Sequence, residues 1–471
     1  MLIIFRSFLL LTGFLLLNAN VAASIIRCEN REYAGKTLVF YRWDDPVSNS
    51  RSAAFDLKLD SNGKGSVNVD AEQTTFFFSD FGVYRGMLFV EAEKTIDLKL
   101  PPLREKSFVD EKNPYFQPVS FWFITKSGEQ LNDQVSEFEQ QLNTLTDKHF
   151  KELYLNQSQT AFDSVNTALN QMIPSNANET LIRHKTLKLT MLKADIFRLR
   201  PEAYAAVFNT IESKYWLHPA FVEALNKTFD RQLSFSAQAI GGDAIRTAIA
   251  NEDLPALAAY VEKKYKIGGQ VSDIVLLKML HDGFYSGEFS RPNIQNLVSA
   301  EQFTKSKNSV VKTTAANLVQ KFNFLAKGTK APAICLKNLE GKEVCTDAGT
   351  DKFKYIVFAD AETVVSREHL KYLSRIDELF PKHLEIFVVL RNTDHKSTDD
   401  FFKQQKIPAQ ILWDKNGTTI EKYKIRSFPQ CFLLDEEHRV VFENTKAPLD
   451  GFEEQFGTWL RNELFQRQRD Q

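Results

Sequence analysis

The sequence predicts a multidomain protein with a small antiparallel β domain, a mainly helical middle domain and a C-terminal α/β domain. Three observations predict this class. Short alternating runs of apolar and polar residues extend to about residue 102, apolar residues then recur at helical spacing to about residue 326, and the remaining chain alternates buried strands with helices. The length of 471 residues agrees, because a typical domain has about 100–200 residues.

The composition is that of a folded and nearly neutral chain. Hydrophobic residues make up 43% of the sequence, charged residues make up 25%, and the formal net charge is −1. A disordered chain would carry fewer apolar residues. A protein that binds nucleic acid or an anionic membrane would carry a basic excess. We therefore predict a globular protein without a nucleic-acid partner.

The first 23 residues have the order of a secretory signal peptide. Arg6 precedes an apolar run at residues 8–17, and small residues follow up to Ala23. We expect cleavage after Ala23, an exported chain in the periplasm or cell envelope, and no membrane span in the mature part. An uncleaved anchor is the alternative, but the run is shorter than the about 20 apolar residues that span a bilayer.

The β domain is predicted over residues 24–102. Turn-forming residues at 61–65 separate two of its strands, and Pro101-Pro102 ends the series. Short strands at this spacing are typical of an antiparallel sandwich or barrel. The strands are predicted at residues 37–41, 55–59, 66–69, 75–78 and 95–100.

The middle domain is predicted over residues 103–326 and is predominantly helical. Its first amphipathic helix has apolar residues at 3.6-residue spacing, and similar stretches follow up to Leu280. The spaced residues are Val135, Phe138, Leu142 and Leu145. Its histidines lack the spacing of metal ligands, so we predict surface or hydrogen-bonded core histidines, no metal site and no cofactor. These histidines are His149, His184, His218 and His281.

The chain has four cysteines, and an even number in an oxidising compartment permits disulfides. Residues 338–342 favour a turn, and a hairpin centred near Glu340 would set Cys335 opposite Cys345 on one face. We favour a structural disulfide for this pair, and a switchable redox pair is the alternative. The pairing of Cys28 and Cys431 stays open.

The C-terminal domain is predicted over residues 327–471. A buried strand at residues 355–359 leads into a helix, and a second strand at residues 384–390 leads into a helix near residues 399–404. A turn at residues 414–417 and a hairpin complete the series. This order is typical of an α/β sandwich with a mixed sheet.

At these residues the chain resembles the TlpA-like thioredoxin-fold family of secreted bacterial disulfide reductases. The matching residues are Gly341-Lys342, Val357-Phe358-Ala359, Glu368 and the segment from Ile425 to Asp435. The preceding β and helical regions resemble the N-terminal extensions of such proteins. The resemblance implies a cis bond between Phe428 and Pro429, and an edge there that binds an extended peptide. A Pro429 that only shapes the turn is the alternative.

The resemblance also implies a Cys-x-x-Cys pair in the turn after the first strand, and this sequence lacks both sulfurs. Alignment on Glu368 puts Glu362 and Val365 at the two cysteine positions of the turn Glu362-Thr363-Val364-Val365. The thiolate is the attacking species in disulfide exchange. A carboxylate cannot exchange disulfides, so we predict no catalytic residue in this turn.

Other residues could take over the missing chemistry. Cys431 follows Pro429 by two positions, but a single thiol has no resolving partner there, and we expect it to be buried and inert. Glu362 and His369 lie about two helical turns apart and could in principle do acid–base work. Nothing else supports that role, and we expect His369 to be a solvated helix residue.

These observations favour a non-enzymatic exported protein. In this hypothesis the thioredoxin-like domain has a degenerate active site and serves to bind a protein or extended peptide, or as a scaffold. The alternative is a thiol–disulfide oxidoreductase of the cell envelope that works through Cys335 and Cys345 or through Cys431. A reactive thiol of low pKa would favour the alternative, and an inert disulfide would favour the first hypothesis.

Overall fold

The structure is a computed structural model that describes residues 23–174, 176–348, 350–391 and 395–469, with the backbone alone for residues 395–397. The predicted signal peptide lies outside these residues except for Ala23, so it stays a prediction. The chain divides into two compact units. The first comprises the described residues up to Glu111 together with Phe116–Leu318, and the second comprises Lys112–Tyr115 and the chain from Val319 onwards. The predicted boundaries at residues 102/103 and 326/327 stay predictions.

The first unit begins with two β-sheets. Their strands are β1 (Ser24–Glu29), β2 (Thr37–Trp43), β3 (Arg51–Lys58), β4 (Lys64–Val69), β5 (Thr75–Phe81), β6 (Tyr84–Val90), β7 (Thr95–Lys99), β8 (Val119–Trp122) and β9 (Ile124–Thr125). The four-stranded sheet has the order β4-β1-β7-β9, and the five-stranded sheet has the order β3-β2-β5-β6-β8. The two sheets enclose a common core, as expected for a sandwich.

Two of the observed strands, β1 and β6, were not among the predicted strands. The sheets also differ from the prediction in two further respects. β8 and β9 lie beyond residue 102, in the region predicted as helical, and they extend the sheets at β6 and β7. The pairings of β1 with β7 and of β6 with β8 are parallel. β8 and β9 can extend the sheets because an edge strand leaves backbone N–H and C=O groups that a distant segment can pair with.

The rest of the first unit is helical. Its helices are α1 (Phe108–Lys112, whose last residue belongs to the second unit), α2 (Leu131–Lys148), α3 (Gln159–Gln171), α4 (Glu179–Ile196), α5 (Pro219–Thr228), α6 (Gln232–Gln238), α7 (Asp243–Ala250), α8 (Leu254–Tyr265), α9 (Gln270–Ser286), α10 (Arg291–Val298), α11 (Glu301–Thr304) and α12 (Ser309–Asn323, which continues into the second unit). Short polar side chains begin several of them, and each accepts a hydrogen bond from a backbone N–H of the first turn. These caps are Ser158, Asn178, Asp253 and Ser290.

The aromatic run in β5 explains why the five-stranded sheet is covered on both faces. Phe77 belongs to the core between the sheets, whereas Phe76 and Phe78 belong to a second core that includes α2, α3 and α4. Successive residues of a strand face opposite sides of the sheet. Three consecutive phenylalanines therefore require a cover on each side, and the helices provide the second cover.

A buried amide joins α2 to this sheet. The Asn132 Oδ1 accepts from the Phe89 N–H at 2.7 Å, and the Asn132 Nδ2 donates to the Phe89 carbonyl at 2.8 Å. The register between β6 and β8 ends at Met87 and Trp122. The Asn132 side chain thus pairs with β6 as a neighbouring strand would, just where β8 stops.

The second unit is an α/β domain. Its strands are β10 (Cys335–Asn338), β11 (Glu343–Cys345), β12 (Phe353–Ala359), β13 (Leu384–Arg391), β14 (Gln410–Asp414) and β15 (Gln430–Leu434). Its helices are α13 (Val364–Lys371), α14 (Leu373–Leu379), α15 (His395–Gln405), α16 (Thr418–Lys422) and α17 (Phe452–Arg469). None of the helices within the described residues has the length and apolar character of a membrane-spanning segment.

The mixed sheet of the second unit has the order β11-β10-β14-β13-β12-β15. β12, β13 and β14 are parallel to one another, while β15 and the hairpin of β10 and β11 are antiparallel to their neighbours. Every residue of β12 is buried, because apolar cores cover the sheet on both sides. The predicted fold class is confirmed, although β14, α16 and α17 were not among the predicted elements.

We expect Phe138→Ala to lower the free energy of unfolding of the first unit by about 3–5 kcal/mol, since the ring is 1% exposed and its loss leaves a cavity. Urea denaturation followed by tryptophan fluorescence measures this change. Phe150→Ala is the matched control, because Phe150 is 52% exposed and its loss should cost less than about 1 kcal/mol. Equal losses for the two variants would contradict the core assignment.

Candidate functional site

The turn between β12 and α13 is fixed by hydrogen bonds among its own residues. The Thr363 hydroxyl caps α13 by accepting from the Ser366 N–H at 3.3 Å, and it donates to the Asp360 carbonyl at 2.9 Å. The Asp360 N–H donates to the Ser366 hydroxyl oxygen at 3.2 Å. The hydroxyl groups of Thr363 and Ser366 therefore fix this turn by hydrogen bonds of the kind found at helix N-termini, and no sulfur atom takes part.

A buried carboxylate stands at the start of the turn. Asp360 is 1% exposed, and its Oδ1 accepts from the Glu362 N–H at 3.1 Å. Lys112 Nζ, which belongs to the same unit, lies 2.7 Å from Asp360 Oδ2 and 2.7 Å from Glu362 Oε2. Arg391 Nη1 lies 3.6 Å from Asp360 Oδ2. These two cations offset the cost of burying the Asp360 charge.

The four predicted turn residues have different surroundings. Glu362 is held in the ion pair with Lys112, and Thr363 is held by its capping bonds. Val364 and Val365 are 75% and 60% exposed, so the second position of the expected cysteine pair carries an apolar side chain in contact with water. The turn presents a paired carboxylate and two exposed apolar side chains, and none of its four residues carries a thiol.

Phe428 and Pro429 lie beside this turn. β15 is antiparallel to β12, and Gln430 pairs with Phe358, so the two residues before β15 are next to the end of β12. The Phe428–Pro429 peptide bond is cis. Arg391 Cζ lies 5.8 Å from the centre of the Phe428 ring. Within the described residues, the backbone N–H and C=O of Phe428 make no hydrogen bond.

Cys335 and Cys345 form a disulfide, with their Cα atoms 4.1 Å apart. They are direct partners in the antiparallel pairing of β10 with β11, and β11 is an edge of the sheet. Cys335 is exposed and Cys345 is half-buried. An Asp347 carboxylate oxygen lies within 4.8 Å of both sulfurs, the one metal-like cluster among the described residues. The sulfurs are bonded to each other and offer no thiolate to a metal.

Cys431 and Cys28 are free thiols in buried positions. Burial raises the pKa of Cys431 to about 12, although the Tyr355 hydroxyl acts in the opposite direction. Burial likewise raises the pKa of Cys28 to about 11, against the opposing charge of Lys126. Since the thiolate is the nucleophile, burial and a raised pKa both disfavour reaction of these two cysteines at neutral pH.

The expectation that His369 is a solvated helix residue is wrong. The side chain is 8% exposed, and its Nδ1 accepts a hydrogen bond from the Leu449 N–H at 3.2 Å. The short 3-10 helix Pro448–Asp450 packs over this position, a contact that helical spacing could not reveal. His369 is thus engaged in holding a loop and does not form a dyad with Glu362.

Sequence reasoning missed the three charged residues that organise the turn. Asp360 directly follows a buried strand, and a carboxylate at the end of such a strand is a recognisable signal of a site. Arg391 ends the neighbouring parallel strand and could have been found in the same way. Lys112 carries no local signal, because its contact depends on a segment more than 200 residues away in the chain.

We expect the native protein to react with no equivalent of Ellman's reagent at pH 8 and the guanidinium-unfolded protein to react with two. A thiol of pKa about 12 is a thiolate in only about one molecule in ten thousand at this pH, and burial also blocks access. Prior reduction of the unfolded chain should release two further thiols as a positive control. A rapid reaction of one thiol in the native protein would contradict the inert assignment.

Comparisons with known proteins concern the second unit. Residues 327–443 match the AhpC/TSA family. A stretch of 133 residues is 28% identical to the thiol-disulfide oxidoreductase ResA of Bacillus thuringiensis and 27% identical to ResA of Bacillus anthracis, and each match covers 26% of this chain and 75% of the relative.

Similar solved structures cover the same part of the chain. One is the thioredoxin domain of a thiol-disulfide oxidoreductase from Bacteroides vulgatus, with 24% identity, 27% of this chain, 94% of that domain and a TM-score of 0.25. Another is a thiol-disulfide oxidoreductase from Bacteroides fragilis, with 17% identity, 27% of this chain, 99% of the other and a TM-score of 0.25. The C-terminal unit has a thioredoxin-like α/β fold, in agreement with its match to the AhpC/TSA family over residues 327–443. The two curated relatives are named thiol-disulfide oxidoreductases.

Proposed function

We propose that this chain is an exported protein of the cell envelope whose thioredoxin-like unit binds a protein or extended peptide and does not exchange disulfides at the turn after β12. One observation carries this proposal. Glu362 and Val365 stand where the resemblance implies cysteines, and Lys112 holds the Glu362 carboxylate in an ion pair. Disulfide exchange needs a thiolate at this turn, and neither residue can supply one.

The edge next to Pro429 is the proposed binding surface. An extended peptide binds a sheet edge by pairing with backbone N–H and C=O groups that have no partner. Within the described residues, the backbone groups of Phe428 fit this description, and this residue precedes β15 beside the turn. Val364 and Val365 add exposed apolar surface for the side chains of such a peptide.

A second candidate is a thiol–disulfide oxidoreductase that works through Cys335 and Cys345. One observation favours it: Cys335, one half of this disulfide, is exposed to solvent, where a reducing partner could reach it. The relatives of this unit are also thiol-disulfide oxidoreductases. The buried Cys431 does not support the same activity, because its raised pKa keeps it protonated.

We expect the double variant Glu362→Cys/Val365→Cys to gain the ability to reduce insulin with dithiothreitol as the electron donor, by at least about tenfold over the native protein. The first new thiol would lie just before α13, whose N-terminal end stabilises a thiolate. The control is Glu362→Ser/Val365→Ser, which makes the same size change without sulfur. An equal rate for native protein and both variants would contradict the view that the missing sulfurs set the activity of this turn.

We expect Val364→Asp/Val365→Asp to weaken binding of reduced, carboxymethylated α-lactalbumin by about tenfold or more, since this unfolded probe offers extended segments without free thiols. Fluorescence anisotropy of the labelled probe measures the affinity. Leu464→Asp is the control, because Leu464 is 38% exposed on α17, outside the proposed surface. Absence of native binding at about 100 μM probe, or equal binding by both variants, would contradict the peptide proposal.

A glutathione redox titration separates the two candidate functions. We expect the Cys335–Cys345 disulfide to stay oxidised down to about −300 mV, as structural disulfides do. Alkylation at each potential followed by mass spectrometry gives the oxidised fraction, and Cys335→Ser/Cys345→Ser provides the blank. Cycling between about −120 and −270 mV would favour the oxidoreductase instead.

A further inference from the structure

The first unit contains a cleft that the proposed function does not use. Its volume is about 470 Å³, which lies in the usual range of about 300–1,000 Å³ for small-molecule sites. It is lined by residues of β2 and β5 and by residues of the helical region, including His218 and the first turns of α12. A neighbouring cavity of about 480 Å³ shares Gln73 and Ser309 with it, so the two cavities adjoin one another.

The lining of the cleft combines aromatic faces with neutral polar groups. Trp43 and Tyr215 contribute aromatic surface. The neutral polar side chains include Gln73, Thr74, Thr75, Ser309, Thr313 and Asn317. Hydroxyl and amide groups can each donate and accept hydrogen bonds, so this lining suits a ligand whose own groups do the same.

The charges at the cleft do not select an ion. Arg42 and Asp44 have opposite signs and both line it. Lys214 also lines it, but its Nζ lies 2.9 Å from Glu212 Oε2 and 3.4 Å from Glu179 Oε2, which largely offset its charge. A neutral ligand therefore fits the balance of charges better than an anion or a cation.

His218 supplies a buried donor at the cleft. Its Nδ1 accepts from the Ala220 N–H at 3.1 Å, so the neutral ring carries its proton on Nε2. The side chain is 4% exposed, and Nε2 makes no hydrogen bond of normal geometry among the described residues. The Thr180 backbone, which also lines the cleft, is near enough to act as a hydrogen-bond acceptor for the ring, although outside the geometry of a normal hydrogen bond. A ligand acceptor atom in the cleft would give this N–H a hydrogen bond of better geometry than the Thr180 backbone does.

Neighbouring rings fix the position of this donor. The His218 ring lies 5.1 Å from the Phe89 ring and 5.3 Å from the His184 ring, measured between centres. His184 is in turn held by Glu139, whose Oε1 lies 2.8 Å from His184 Nε2. A side chain held in this way can bind a ligand without first losing conformational freedom.

From these observations we propose that the cleft of the first unit binds a neutral saccharide of one or two rings. A sugar presents hydroxyl groups that donate and accept, which match the Thr, Ser, Asn and Gln side chains and the Nε2–H of His218. It also presents an apolar face of ring C–H groups, which matches the aromatic surface of Trp43 and Tyr215. This site is independent of the peptide surface proposed for the second unit.

Isothermal titration calorimetry of the full chain with glucose, maltose, N-acetylglucosamine and its β1,4-linked disaccharide tests the proposal. We expect at least one of these probes to bind with a Kd below about 1 mM. Thr313→Val keeps the side-chain shape and removes one hydroxyl, so it should weaken that binding by about three- to tenfold. His218→Asn keeps a residue that can cap α5 but removes the Nε2 donor, and it should weaken binding by about tenfold.

Thr144→Val is the matched control, since Thr144 is exposed on α2 and does not line the cleft. Thermal unfolding of each variant establishes that it is folded before titration. Absence of binding by all four sugars at about 10 mM, tenfold above the expected Kd, would overturn the proposal. It would equally be overturned if Thr313→Val and His218→Asn bound as tightly as the control, or if a neutral tetrapeptide bound the cleft and the sugars did not.

Discussion

The buried carboxylate of Asp360 is the constraint on which the turn after β12 depends. It sits where a fully buried parallel strand ends, and a charge in such a place is stable only with partners. Lys112 and Arg391 supply the cations, and the Glu362 N–H supplies a hydrogen bond. The turn therefore keeps a defined shape through these contacts and needs no sulfur for it.

The fold of the second unit is likewise independent of any thiol chemistry at the turn. Its stability comes from the two apolar cores that enclose the sheet, and the free Cys431 enters one of them only as a small buried side chain. The disulfide lies at the opposite edge, between β10 and β11. Apolar cores and a disulfide at one edge of the sheet thus hold this unit together without a thiol in the turn after β12.

The first unit is organised by a sheet that is apolar on both faces. Phe77 fills the core between the sheets, and Phe76 and Phe78 fill the core against the helices. The helical region and strands β2 and β5 also line a cleft with polar and aromatic walls. The buried His218 side chain is fixed by its ring contacts and by the hydrogen bond with which it caps α5. Packing in the first unit therefore determines where this side chain lies in the cleft.

The sequence by itself determined the order of β, helical and α/β regions, because apolar periodicity is a local property of the chain. It also determined the absence of cysteines at Glu362 and Val365, and the turn that brings Cys335 opposite Cys345. Only the tertiary structure decided that β8 and β9 complete the sheets and that His369 is buried beneath the loop at Leu449. It alone brought Lys112 to Asp360, since long-range contacts depend on packing between distant segments and leave no periodic trace.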